Sequence, residues 1–267
     1  MKTLGIVSWK KPSKGVGELL SALVDLDISP KYNTSIKKIN TLLSSGLGVD
    51  YILNWGANFT NVNLHGLILN SQAGHFSDKL KFFNFVEPSL GPYLPKRYTP
   101  DSFNYLPFSG DKKYIGRMTT KGSGGEGIYI IKSPADIVPE TLLITEYIKK
   151  ESEYRVHYFR DHFKTIHYYY QKKKRLMTSP ISENTFLIRN LKEGWVYSSL
   201  NFSLPNYVKN TAEKFAIKLS PHLTFGALDI IYNNATESAY VLEVNTAPGL
   251  TSKTAAWYAD NIREYLI

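Results

Sequence analysis

Short apolar runs rich in β-branched and aromatic residues alternate with amphipathic stretches along this chain, an order that predicts an α/β (α+β) fold. Residues 4–9 (LGIVSW) and 49–55 (VDYILNW) read as buried strands, the second ending at Gly56, with a helix-like run over 19–26 between them. Phe76, Leu80 and Phe83 recur at helical spacing, with Ser77 and Asp78 near the start of that helix. From Glu87 to Pro107 prolines and glycines come thickly, which predicts a surface connector and a domain boundary at 107. Beyond it, 113–118 and 128–132 read as strands around the loop TTKGSGGEG, and 142–148, 154–159 and 163–171 as three more. Val208, Ala212, Phe215 and Leu219 mark one face of a helix over 205–219. Two further strands, 225–232 and 240–245, are joined by the polar turn NNATES, and a helix over 253–266 closes the chain. No internal repeat or heptad interrupts this order.

The glycine loop is the first candidate for chemistry. Successive small residues present backbone N–H groups to a phosphate without obstruction, and Gly122, Ser123, Gly124, Gly125 and Gly127 lie in that loop. The loop lacks the GK[ST] ending of a Walker A motif, and no helix follows it at once. A flexible hairpin is the plainer reading. The second candidate is the set Asp229, Glu243 and Asn245 in FGALDIIY and YVLEVNTAPG. Residues two apart in a strand share a face, so Glu243 and Asn245 point together, among apolar neighbours. Buried carboxylates repel unless something positive lies between them, and hard oxygen donors of this kind suit Mg2+. Surface carboxylates on edge strands are the alternative.

A third candidate is the alternation Glu153, Arg155, His157 in ESEYRVHYF. On a solvent face this is a salt-bridged strand; beside a phosphate, Arg155 would stabilise charge on a transferred phosphoryl group. Lys172 and Lys174 of the following QKKKR run are grouped with Arg155 as catalytic cations.

Composition narrows the classes. The chain has 267 residues and no cysteine, which excludes disulfides, zinc–thiolate sites, iron–sulfur clusters and thiol nucleophiles. No stretch approaches the ~20 apolar residues that span a bilayer. The opening MKTLGIVSWKKPSKG holds too short an apolar run for a signal-peptide core, so the expected location is cytoplasmic. A net charge of +9 and 19 tyrosines suit an anionic partner, with nucleic acid among the options.

In succession, Arg117, KGSGGEGI, TEYIKKESEYRVH, QKKKR, GALDII and LEVNTAPGL resemble the ATP-grasp carboxylate–amine ligases, with SDKLKFFNF…LPKRY similar to the domain that precedes them. The RimK-like enzymes and the short ATP-grasp proteins of bacteriophages are nearest in flavour, and a phage-encoded chain would work in the host cytoplasm. The resemblance implies a small α/β domain over 1–107 and an ATP-grasp region over 108–267, split into a lid lobe of 108–148 and a C-terminal lobe of 149–267. It implies ATP and Mg2+ between the lobes, with Asp229, Glu243 and Asn245 as metal ligands. Glu146, Tyr147 and Ile148 would meet the adenine through backbone groups, and Glu153 the ribose. Arg117 falls where the family usually has a lysine touching the phosphates, Arg155 matches an arginine near the transferred phosphate, and Lys79 is a phosphate or structural lysine. The implied partners are a carboxylate substrate and an amine acceptor: a free amino acid, a peptide or protein terminus, or a modified base. Two other readings stand beside this one. A kinase-like phosphoryl transferase would use the same nucleotide site, and a basic nucleic-acid-binding module would leave the acidic trio structural.

Overall fold

The computed structural model describes residues 4–8, 14–28, 30, 32–35, 49–59, 67–109, 112–121, 125–176, 189–191 and 193–267. Its strands form three sheets. The first is parallel, in the order β2 (Tyr32–Ser35), β1 (Leu4–Ser8), β3 (Tyr51–Trp55), β4 (Leu67–Leu69). Every residue of β1 and β3 is buried, as the continuous apolar runs require of a sheet covered on both faces. Helix α1 (Lys14–Val24) lays Val16, Leu19 and Leu23 on one such face. The sequence pattern finds β1, β3 and this helix. It misses β2 and β4, which are short, the first of them polar.

Two elements lie between this sheet and the rest of the chain, the single turn α2 (Ala73–Phe76) and the helix α3 (Lys79–Leu90). Asp78 caps α3 by accepting from the N–H of Leu80 and of Lys81. Phe82, Phe83 and Val86 of α3 are buried with residues of the C-terminal part of the chain, so α3 belongs to that core and not to the parallel sheet.

The second sheet, β5 (Arg97–Tyr98), β8 (Leu143–Glu146), β6 (Tyr114–Arg117), β7 (Ile128–Ile131), is antiparallel. β5 pairs Arg97 with Thr145 and Tyr98 with Ile144. The sheet therefore draws on chain before the expected boundary at 107. Leu90, Leu94 and Leu106 are buried, so the proline-rich segment is more than a surface connector.

The third sheet is the largest and antiparallel: β11 (Trp195–Ser198), β10 (Ile166–Arg175), β9 (Ser152–Arg160), β12 (Phe225–Asn233), β13 (Ser238–Asn245). One face packs Tyr154, Val156, Tyr158, Leu228 and Ile230 against α3 and against α4 (Asn206–Leu219). The chain then returns. Helix α5 (Ser252–Leu266) inserts Ala255, Tyr258, Ala259 and Ile262 among Leu4, Ile6, Val16 and Trp55 of the first domain. Asn70 ties the two regions together, donating to the Phe225 carbonyl at 2.7 Å and accepting from its N–H at 2.9 Å.

Candidate active site

Antiparallel register sets side chains side by side across strands on a common face, and here it builds a grid. Asp229 stands opposite Arg155 on one side and Glu243 on the other. Gln171 of β10 extends that row beyond Arg155. One row nearer the start of β9, Glu153 stands opposite Ile231, and Lys173 opposite Tyr197. One row further on, Ala227 separates His157 from Asn245. Between Asp229 and Ile230 the register slips, so Leu242 has no partner across the ladder. A bulge of this kind twists the strand locally.

The face carrying Arg155, Asp229 and Glu243 lines a cleft of about 980 Å3 that the second sheet also reaches. Arg117, Lys121, Gly125 and Ile128 line it from the second sheet, Glu146, Tyr147 and Ile148 from the segment leaving that sheet, and Lys79 from the start of α3. At the far end it meets the first domain. A Cβ on Gly56, whose φ is +78°, would lie 2.7 Å from the Cβ of Ala247. The backbone after β3 thus abuts the turn after β13 with no room for a side chain.

Each carboxylate of the floor is matched by a cation. Arg155 grips Asp229 with Nε to Oδ1 at 2.7 Å and an Nη2 to Oδ2 bond of 2.8 Å. Lys79 Nζ is 2.6 Å from Glu243. Glu153 receives Lys150 and Lys173, each at 3.0 Å. Burial pushes the Asp229 and Glu153 carboxyls up, but the facing cations outweigh it and hold both below the ordinary carboxylate range. Lys150 is lowered as well, but by desolvation, of which Glu153 restores only part. Arg117 is 7% exposed, and its Nε and one Nη have no hydrogen-bond partner among the described residues. Desolvation lowers its pKa, with Glu243 opposing. A buried, unsaturated guanidinium is a site for an anion.

Behind the floor, on the same face, His157 is fully buried. Its Nε2 lies 3.0 Å from Gln171 Oε1 and its Nδ1 3.2 Å from the Tyr258 hydroxyl. Gln171 passes the network to Thr254 of α5 at 3.3 Å. Desolvation, with Arg155 nearby, lowers the imidazole to about 3, so it is neutral.

Of the residues singled out in the sequence, Arg117, Gly125, Glu146, Tyr147, Ile148, Glu153, Arg155, Asp229, Glu243, Asn245 and Lys79 line the cleft. Gly127, with φ +64°, sits at the base of the loop, its carbonyl accepting from Met118 N–H at 2.9 Å. Gly122, Ser123 and Gly124 lie outside the described residues. Lys172 and Lys174 require correction. Lys172 lies over the ring of Tyr154, on the opposite face of the sheet, and Lys174 donates to the Leu200 carbonyl at 2.6 Å. Strand parity turns both away and puts Lys173 between them into the cleft. Lys121, Lys150, Lys173, Arg189 and Tyr197 also line the cleft and were not found from sequence. The parity of Glu153 and Arg155, carried across the β9–β10 hairpin, is the signal that selects Lys173.

Asp229, Glu243 and Asn245 are oxygen donors on neighbouring strands, a set suited to Mg2+. Among the described residues no group of three His, Asp or Glu gathers as a metal cage. The donor set suits an ion that keeps further ligands from elsewhere, such as phosphate oxygens.

No family model matches the sequence, and no curated protein does. Solved structures do match. D-alanyl-alanine synthetase A from Vibrio cholerae O1 biovar eltor superposes with a TM-score of 0.67 at 13% identity, over 99% of this chain and 97% of that one. An N5-carboxyaminoimidazole synthetase from Staphylococcus aureus, complexed with ADP, gives 0.67 at 12% over 99% and 77%. A RiPP-associated ATP-grasp ligase from Chryseobacterium gregarium, in complex with ADP and a leader and core peptide, gives 0.63 at 11% over 97% and 96%. At identities this low it is the architecture that is shared, and the chain has the ATP-grasp fold.

Proposed function

We propose that the chain is an ATP-dependent carboxylate–amine ligase that forms an amide through an acyl phosphate and releases ADP and phosphate. The observation that carries this reading is the buried Arg117 guanidinium, unsaturated among the described residues, in the same cleft as the Asp229–Glu243 pair. The likeness to ligases solved with ADP supports it.

In this reading the polyphosphate lies between Arg117, Lys121 and the Gly125 backbone on one side and the carboxylate floor on the other. The base sits against 146–148. The N–H groups of Glu146 and Tyr147 already donate to the carbonyls of Lys96 and Lys113, at 2.8 and 2.9 Å, so they are not the groups that read it. Glu153, locked between Lys150 and Lys173, holds those cations in place and does not reach a ribose unaided. Asp229, Glu243 and Asn245 would hold Mg2+, which when bound offsets phosphate charge. Lys79, which pairs with Glu243 at 2.6 Å, would then be available to a phosphate oxygen.

The substrate carboxylate enters from the end lined by Gly56, Gly74, Gly249 and Thr251. Its oxygen attacks the γ-phosphorus as the bond to ADP breaks. An amine then attacks the acyl carbon, loses a proton, and expels phosphate. No side-chain nucleophile is needed, so positioning and charge carry the rate.

Phosphate release is measured with ATP, Mg2+ and pools of carboxylates and amines, with mass spectrometry of the products. The expected result is ADP and phosphate only when both pools are present, with a product lighter by one water than its two components. A stable phosphorylated product would instead mark a kinase-like transferase and overturn the ligase reading.

A further inference from the structure

Tyr197 lies on β11 opposite Lys173 and lines the cleft. Its ring is covered by cations. The Arg155 guanidinium carbon is 4.2 Å from the ring centroid and the Lys173 ammonium 4.8 Å. Both are attractive cation–π distances, and the ring thereby braces the two cations that hold Asp229 and Glu153. The phenol oxygen is another matter. It is buried and has no hydrogen-bond partner among the described residues. Buried hydroxyls in folded proteins are almost always bonded, and an exception calls for an explanation. Burial, reinforced by the field of Asp229, pushes this phenol well above its ordinary value. The group is thus a proton donor throughout the neutral range, without an acceptor. The neighbouring carboxylates of Asp229, Glu153 and Glu243 act on it only through their field, and none of them is its hydrogen-bond partner.

We propose that the Tyr197 hydroxyl is a nucleotide contact, donating a hydrogen bond to a phosphate oxygen of the bound nucleotide. This rests on the reading of the cleft as a nucleotide site. Phosphate oxygens are the anionic acceptors that the cations of the cleft would attract. A hydroxyl on the ring that braces two cations adds a directional bond that they lack.

Tyr197→Phe removes the oxygen and keeps the ring under Arg155 and Lys173. Calorimetric titration with ADP and with the β,γ-imido analogue of ATP, each with Mg2+, is compared with the parent chain. About tenfold weaker binding is expected, the scale of one hydrogen bond to a charged oxygen. A loss confined to the imido analogue assigns the bond to the terminal phosphate, and an equal loss for both ligands to an inner one. Unchanged affinity for both overturns the proposal while leaving the nucleotide reading intact. A parent chain that binds neither ligand overturns the nucleotide reading and this contact with it. Melting gives a second readout. A hydroxyl unbonded in the free protein leaves the phenylalanine chain melting at or above the parent temperature. A clear drop means that the oxygen already has a partner inside the fold, which also overturns the proposal.

Discussion

Arg155 and Asp229 illustrate how a ligand site is built from charges that the fold must first neutralise. The pair is buried and bidentate, so removing one member strands the other in a poorly solvated place. Arg155→Ala is expected to destabilise the chain by about 3 kcal/mol or more, and Arg155→Ala with Asp229→Ala by less. Urea unfolding of the two variants decides this; equal losses would mean that the bond contributes little beyond packing. His157 gives a pH signature of a different origin. Its folded value of about 3 lies below its ordinary 6.5, so the unfolded chain takes up a proton first. This part of the stability is complete above pH 6.5 and drains away as pH falls toward 3. At pH 5 it amounts to a loss of about 2 kcal/mol relative to pH 7. In His157→Phe the difference between unfolding free energies at pH 7 and pH 5 is expected to shrink by that amount. A variant with the parent's pH slope would place the titrating group elsewhere.

Among the elements, tight junctions matter as much as strands. Gly56 ends β3 in a left-handed conformation with Ala247 directly against it. Gly56→Ala is expected to cost about 1–3 kcal/mol, through backbone strain and the forced separation of β3 from the turn after β13. Gly17→Ala, inside α1 with nothing within 4 Å, is the control and is expected to stabilise by up to about 1 kcal/mol. Thermal melts of the two should move in opposite directions. The apolar strands were legible in the sequence because burial on both faces writes continuous runs such as LGIVS and YILNW. That Asp229 and Glu243 line a common cleft was legible because charge inside such runs is rare. The basic run was not, since QKKKR has no apolar phase to show which lysine faces inward, and only the register with β9 decides it. The proline-rich stretch misled as a surface connector for a related reason. Proline and glycine mark turns, but Leu90, Leu94 and Leu106 between them are core residues, and Arg97 and Tyr98 pair with β8.

Taken whole, the molecule has cores of unequal size. Leu106, Tyr114, Ile131 and Ile144 form a small buried cluster under the second sheet, separate from the large ones. Amide hydrogen exchange is expected to be fastest there, with β6 and β7 exchanging at least tenfold faster than β9 and β12. Equal protection would make that sheet one cooperative unit with the rest. The first domain differs, because its core also contains Phe159, Phe225 and the inner face of α5. Trp55 stacks on Phe225 with ring centroids 5.2 Å apart and meets Tyr258 edge-on at 5.5 Å. That interlock has a consequence for biosynthesis. A ribosome releases β1 and β3 long before it releases Ser252–Leu266, the helix that roofs them. The parallel sheet therefore waits, with one apolar face covered by α1 alone, for the whole length of translation between. Chaperones that shelter nascent apolar surface have their longest engagement with this chain at its beginning, and an early stop codon anywhere before α5 leaves the first domain as unfinished as the last.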